Sequence, residues 1–139
     1  MVIRVRQSQM VEHSNAVIIR RGYEAFASAD SSALMSLITE DAVWHSPGNN
    51  LLSGDYQGVV AILGYFAKFA TLSQGKFQVT VQDVFANDNR AVVLTRDTAT
   101  RNGRTLSWEG GVIFQLQTGR LQEAWAFNLN QSLVDAFWS

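Results

Sequence analysis

The chain has 139 residues, 47% hydrophobic and 17% charged, and its 11 Lys and Arg nearly balance 12 Asp and Glu for a net charge of -1. With 8 Phe, 4 Trp and 3 Tyr the composition excludes a disordered chain, and the charge balance gives no footprint for nucleic acid or an anionic membrane. The absence of Cys excludes disulfides, thiol catalysis and cysteine-ligated metals. We therefore expect a cytoplasmic protein with no nucleic-acid and no membrane partner.

The N-terminal segment is expected to be a loosely held tail over residues 1–12. Arg4 and Arg6 interrupt its apolar residues, so it contains no signal peptide. No repeat, linker or low-complexity stretch follows, because the chain has a single Pro and no internal period. Residues 13–139 are therefore predicted to form one domain.

Three helices are predicted in the first half of the chain. Ser14 is a suitable N-cap for the first helix, and Asp30 with Ser31 for the second. A short strand over 42–45 precedes the third helix, which is predicted over 59–70. Apolar residues at helical spacing form the inner stripes, namely Ile19, Tyr23, Phe26, Leu34, Leu37, Ile38, Ile62 and Phe66.

The second half of the chain changes to a period of two, which is typical of half-buried strands. Strands are predicted over 77–81, 90–100, 104–117 and 120–129, with a closing helical turn over 132–137. Helices first and a curved antiparallel meander last indicate the α+β class.

The first hairpin can be given a register. The pair Asn102-Gly103 predicts a two-residue turn, which sets Asp97 opposite Trp108 and Arg96 opposite Glu109. Strict alternation then places Asp97 on the apolar, concave face of the sheet.

Two registers compete at the next hairpin. A three-residue loop over 117–119 suits its sequence better; it places Asn128 opposite Trp108 and points Trp125 and Phe127 outward with Ile113. A two-residue turn reverses the faces and points Trp125 inward. Aromatic residues on an outer sheet face usually indicate a covered surface.

Asp97 in an apolar concavity is the first candidate catalytic residue. Desolvation raises the pKa of a carboxyl and makes it an acid, a base or a hydrogen-bond donor. The alternative is a structural carboxylate bonded to Trp108, Asn128 or Tyr23. His45, at the end of the short strand and the edge of the cavity, is a second candidate base.

Tyr23 is the third catalytic candidate, because its hydroxyl lies on the inner stripe of the first helix. Its alternative is a core tyrosine bonded to the backbone. Further side chains are expected to contact a ligand or simply to fill the interior: Trp44, Tyr56, Tyr65, Phe66, Phe69, Trp108, Val112 and Asn128. No metal and no cofactor is expected, because His13 and His45 lie far apart and no phosphate-binding loop is present.

Four segments together resemble the SnoaL-like branch of the nuclear-transport-factor-2-like superfamily: 42–48, 52–58, 119–125 and 134–138. The resemblance implies a cone in which a curved antiparallel sheet wraps around three N-terminal helices, with an apolar pocket at its open end. It also implies a homodimer through the outer sheet face, which suits outward Ile113, Trp125 and Phe127.

Within that superfamily, ketosteroid isomerases use a Tyr at the position of Tyr23, an Asp base at that of Ser46 and a protonated Asp at that of Val112. Only the Tyr matches, so steroid isomerisation by that mechanism is not expected. SnoaL-type cyclases use a pocket acid, a part that Asp97 can take. The sequence thus predicts a pocket for a small apolar molecule, serving a cofactor-free isomerase, cyclase or hydrolase, or else a non-catalytic ligand-binding or dimerisation module.

Overall fold

The computed structural model describes Val2 and residues 12–139, so the predicted tail lies almost entirely outside the described residues. The helices are α1 (Ser14–Ala27), α2 (Ser31–Leu37), α3 (Val59–Ser73) and α4 (Gln131–Phe137). The strands are β1 (Ile38–Ser46), β2 (Gly54–Gln57), β3 (Phe77–Ala86), β4 (Arg90–Arg101), β5 (Arg104–Gln117) and β6 (Arg120–Asn128). No helix in this part of the chain is long and apolar enough to cross a membrane.

The six strands form one sheet in the order β2-β1-β6-β5-β4-β3. Neighbouring strands are antiparallel except β1 and β6, which run parallel. The helices pack on the concave face of the sheet and bury one continuous core with it. The predicted α+β cone is confirmed, with one parallel pair of strands. The closing helical turn predicted over 132–137 is the helix α4.

The caps of the first two helices follow from polar side chains just before them. The His13 ring, rather than Ser14, caps α1, because its Nδ1 accepts a hydrogen bond from the Asn15 amide at 3.0 Å. Asp30 caps α2 as predicted and accepts from the Ala33 amide at 3.1 Å.

The start of β1 differs from the prediction. Ile38 was expected on a helix stripe, but it is extended and begins β1, where it is buried beside Leu121. Its carbonyl accepts a hydrogen bond from the Arg120 guanidinium at 2.7 Å. The short edge strand β2 was not predicted, because its four residues carry no apolar alternation and depend on pairing with β1.

The hairpin between β4 and β5 has the predicted register. Asp97 lies opposite Trp108, and Arg96 lies opposite Glu109 with a 3.5 Å ion pair. The turn residue Asn102 has a φ of 52°, as a tight two-residue turn requires. The position of Asp97 on the inner face therefore follows from local turn chemistry.

The hairpin between β5 and β6 follows neither of the two predicted registers from end to end. Its tip is a two-residue turn that pairs Gln117 with Arg120, so the favoured three-residue loop is wrong. A bulge between Gln115 and Leu116 then shifts the pairing by one residue and sets Asn128 opposite Gly110, not opposite Trp108.

The bulge restores the faces that the three-residue loop predicted. Ala124 is fully buried on the inner face, whereas Trp125 pairs with Ile113 and is exposed with it on the outer face. Because strand faces alternate with every residue, one inserted residue is enough to exchange them. The outward orientation of Trp125 is thus correct, but for a different reason.

Candidate functional site

A cavity of about 150 Å³ lies between the concave face of the sheet and the helices. Its walls are mostly aromatic and aliphatic. The cavity is lined by most of the predicted site residues: Tyr23, Trp44, Tyr65, Phe66, Phe69, Asp97, Trp108, Val112 and Asn128. Such an apolar cavity with a few polar groups has the character of a small-molecule site.

Tyr56 was predicted to contact a ligand but lies behind the cavity wall. Its hydroxyl donates to the Leu52 carbonyl at 2.9 Å, and Lys68 Nζ donates to the same hydroxyl at 3.2 Å. Its ring packs on Tyr65 with centroids 4.5 Å apart. Tyr56 therefore supports Tyr65 and fills the interior, which is the second of its two predicted roles; it does not line the cavity.

Asp97 points into the cavity from β4. Its Oδ1 is buried and has no hydrogen-bond partner within residues 12–139. Burial raises the pKa of Asp97 from 3.8 to about 6, and the adjacent Thr95 side chain opposes part of that rise. At neutral pH a carboxyl with such a pKa exchanges its proton readily in either direction.

The hydroxyls of Tyr23 and Tyr65 both experience the negative charge of Asp97. Burial raises the pKa of Tyr23, and the negative charge of Asp97 raises it further. Burial also raises the pKa of Tyr65 to about 12, although the neighbouring side chains of Ser46 and Trp44 act against the rise. The Tyr65 hydroxyl donates to Ser46 Oγ at 3.2 Å. Both phenols therefore remain protonated near neutral pH and serve as neutral hydrogen-bond donors.

Asn128 enters the cavity because β5 has a glycine opposite it. A Cβ on Gly110 would lie 3.0 Å from Asn128 Oδ1 and would collide with the Phe127 carbonyl oxygen. The Asn128 amide donates to Gln131 Oε1 at 3.1 Å, which fixes its orientation.

A polar cluster at the rim of the cavity was not anticipated from the sequence. Asp135 on α4 accepts hydrogen bonds from Gln131 Nε2 at 2.8 Å, Asn50 Nδ2 at 2.7 Å and the Asn49 amide at 3.1 Å. These bonds lower the pKa of Asp135, the one from Gln131 most of all. The cluster ties α4 to the loop after β1, and only the spacing of polar residues on α4 offered a signal for it.

His45 lies outside the cavity, on the outer face of the sheet, so its predicted place at the cavity edge is wrong. Its Nε2 bonds Glu123 at 2.6 Å, its Nδ1 bonds Asp55 at 2.7 Å, and its ring stacks on Trp125. The hydrogen bonds to Glu123 and Asp55, in that order, raise the pKa of His45. Strand alternation explains the position, because Trp44 before it points inward.

Together, the curved sheet and the enclosing helices define an α+β cone with an apolar cavity inside it. The chain belongs to the SnoaL-like domain family, whose model matches residues 19–124. This confirms the resemblance inferred from the four sequence segments. An uncharacterised protein of Mycobacterium tuberculosis is 25% identical over 131 residues, which cover 94% of this chain and 100% of that protein.

Solved structures share the same architecture. Bal32a, from a soil-derived mobile gene cassette, is 32% identical with a TM-score of 0.86, covering 90% of this chain and 96% of its own. IdmH of Streptomyces antibioticus, a candidate polyketide cyclase, is 22% identical with a TM-score of 0.72, covering 90% and 99% respectively. At that identity the likeness to IdmH shows a shared fold.

Proposed function

We propose that the chain binds a small hydrophobic molecule in the cavity and moves protons on it, with Asp97 as the acid–base group and without a cofactor. The observation that carries this proposal is the buried, unpaired Oδ1 of Asp97 in an apolar cavity. A charged side chain is rarely buried without a partner, so an orphaned carboxylate oxygen points to a ligand group that completes it.

The proposed chemistry begins with ionised Asp97, which accepts a proton from a carbon acid or a hydroxyl of the bound molecule. Negative charge then develops on a ligand oxygen, and the neutral Tyr23 hydroxyl donates a hydrogen bond to it. Protonated Asp97 returns the proton at another atom, so the sequence is balanced without a redox partner. Isomerisation needs only these two proton transfers. In an aldol cyclisation the enolate carbon adds to a carbonyl carbon of the same molecule between them, the C=O π bond opens to an alkoxide, and protonated Asp97 returns its proton to that alkoxide. The shared fold of a candidate polyketide cyclase supports the second reaction.

Nitrobenzisoxazole tests the base directly, because its ring opens to a coloured cyanophenolate once a base removes one proton. The C–H bond and the ring N–O bond break together, and no cofactor takes part. We expect this compound to react in the cavity, with the rate rising through the pKa of about 6. Asp97→Asn should lower the rate by roughly 10²–10⁴.

Two further variants separate the role of Asp97 from those of His45 and Tyr23. His45→Gln should leave this rate unchanged, because His45 is on the outer face. Tyr23→Phe should lower it less than Asp97→Asn does. Equal rates for the native chain and Asp97→Asn would exclude Asp97 as the base. Binding without reaction in every variant would favour the non-catalytic ligand-binding module.

We also propose that the chain forms a homodimer through the outer face of the sheet. Ile113 and Trp125 are paired neighbours there, and both keep a large exposed apolar surface, at 40% and 36% of their area. Phe127 extends this surface over Gly111. Adjacent exposed apolar residues of this size are typical of an interface.

A further inference from the structure

We infer that Trp44 forms a second polar contact of the cavity, where its indole N–H binds an acceptor oxygen of the ligand while Asp97 binds a donor. The ligand is then a single-ring molecule with a hydrogen-bond donor at one end and a carbonyl-type acceptor at the other. This inference rests on the proposed binding function and names the class of molecule that the cavity takes.

Trp44 is held firmly in the cavity wall. Only 7% of it is exposed, and its ring packs edge-on against Phe66 at 5.0 Å and Phe114 at 5.7 Å. An indole donates through Nε1 alone and accepts no hydrogen bond. The Trp44 Nε1 is buried and finds no acceptor anywhere in the described part of the chain.

An unpaired buried N–H is costly, and a phenylalanine would fill much of the same space without it. The Tyr65 hydroxyl is a candidate acceptor, because Trp44 is close enough to help lower its pKa. The Trp44 N–H nevertheless forms no hydrogen bond to that oxygen, and the Tyr65 hydroxyl donates its own proton to Ser46. The Trp44 donor is therefore left for an atom that enters the cavity.

The two unpaired atoms approach the cavity from different strands. Trp44 is on β1 and Asp97 is on β4, with β6 and β5 between them in the sheet. Both side chains line the same space. A ligand that completes both must therefore reach across the cavity, with its two polar groups at opposite ends.

The size of the cavity limits the apolar part of the ligand. Its volume is about 150 Å³, and an engineered apolar cavity of about 150 Å³ is known to take up benzene. The packed rings of Phe66 and Phe69 form part of the wall around this space. The structure thus favours one six-membered ring with short substituents over a molecule of three or more fused rings.

Three matched probes test the inference: para-hydroxyacetophenone with donor and acceptor, para-ethylphenol with the donor alone, and acetophenone with the acceptor alone. Calorimetric titration at pH 7 keeps Asp97, with its pKa of about 6, mostly ionised and the phenol of para-hydroxyacetophenone mostly protonated. We expect para-hydroxyacetophenone to bind most tightly, and Trp44→Phe to weaken it roughly 5- to 100-fold, the range expected for a lost buried hydrogen bond. The same variant should leave the binding of para-ethylphenol unchanged.

Two controls keep the test independent of folding. Trp125→Phe removes an indole from the outer face and should change none of the three affinities. In the native chain, the Nε1–H resonance of Trp44 should move further downfield with para-hydroxyacetophenone and acetophenone, which accept its hydrogen bond, than with para-ethylphenol, whose ring alone shifts it. This second measurement requires no variant and remains valid if Trp44→Phe fails to fold.

The outcomes separate this inference from the proposed function. Equal losses for all three probes in Trp44→Phe, or an equal shift of the Trp44 resonance with every probe bound, would overturn the role of Trp44 and leave the binding cavity intact. Failure of all three probes to bind would overturn the assigned ligand class. The role of Asp97 as base would still be decided separately by nitrobenzisoxazole.

Discussion

Burial of Asp97 makes the protein less stable as the pH rises. Its pKa is about 6 in the fold against an ordinary 3.8. At 1.36 kcal/mol per pKa unit, ionised Asp97 costs the folded state about 3 kcal/mol. Because the pKa is raised in the fold, the protein has its full stability below about pH 4, where Asp97 is protonated in both states. The cost of ionising the buried carboxyl then grows as the pH rises to about 6.

Asp97→Asn removes this titration while keeping the shape of the side chain. Relative to the native chain, the variant should therefore gain about 3 kcal/mol between pH 4 and pH 8, with most of the change complete by about pH 6. Urea unfolding of both proteins across this range measures the difference. Carbon NMR of the Asp97 carboxyl gives its titration midpoint directly.

A matched control removes one negative charge elsewhere. Asp83 is an exposed residue of β3, so Asp83→Asn separates the effect of net charge from that of burial. An equal difference in stability between Asp97→Asn and the native chain at pH 4 and pH 8 would contradict a raised pKa of Asp97. A carboxyl midpoint near 4 would refute it equally.

Three further predictions concern the surroundings of the cavity. Gly110→Ala should destabilise the fold by about 1–3 kcal/mol in thermal unfolding, because its Cβ meets the backbone of β6, whereas Gly64→Ala on α3 meets no atom and should not. The raised pKa of His45 means that its stabilising effect is lost as the pH rises, so His45→Gln should cost more stability at pH 6 than at pH 9. Ile113→Lys should shift sedimentation at tens of micromolar from dimer to monomer; an unchanged mass would contradict the proposed interface.

The sequence alone determined the inner position of Asp97. A tight turn at Asn102-Gly103 depends on the two residues within it, and the strand partners on either side are then counted outward. The capping of α2 by Asp30 is equally local. The period of two from Phe77 onward likewise predicted the strands of the second half.

Contacts between distant segments decided the features that the sequence left open or predicted wrongly. Ile38 lies at helical spacing, but parallel pairing with β6 draws it into β1. The neighbours of His45 come from β2 and β6, and no local pattern brings Asp55 or Glu123 to its ring. The bulge at Gln115 and Leu116 carries no turn signal, because it is set by the packing of β5 against β6.

The unpaired atoms of the cavity show the same division. The sequence identified Asp97 and Trp44 as inner residues, yet it could not show that Oδ1 and Nε1 lack partners. A hydrogen bond depends on which atoms approach to within about 3 Å in a favourable direction, and here those atoms come from several strands and helices. Local chemistry therefore determined that the Asp97 and Trp44 side chains point inward, whereas the packing of the whole chain decided which of their polar atoms remain free for a ligand.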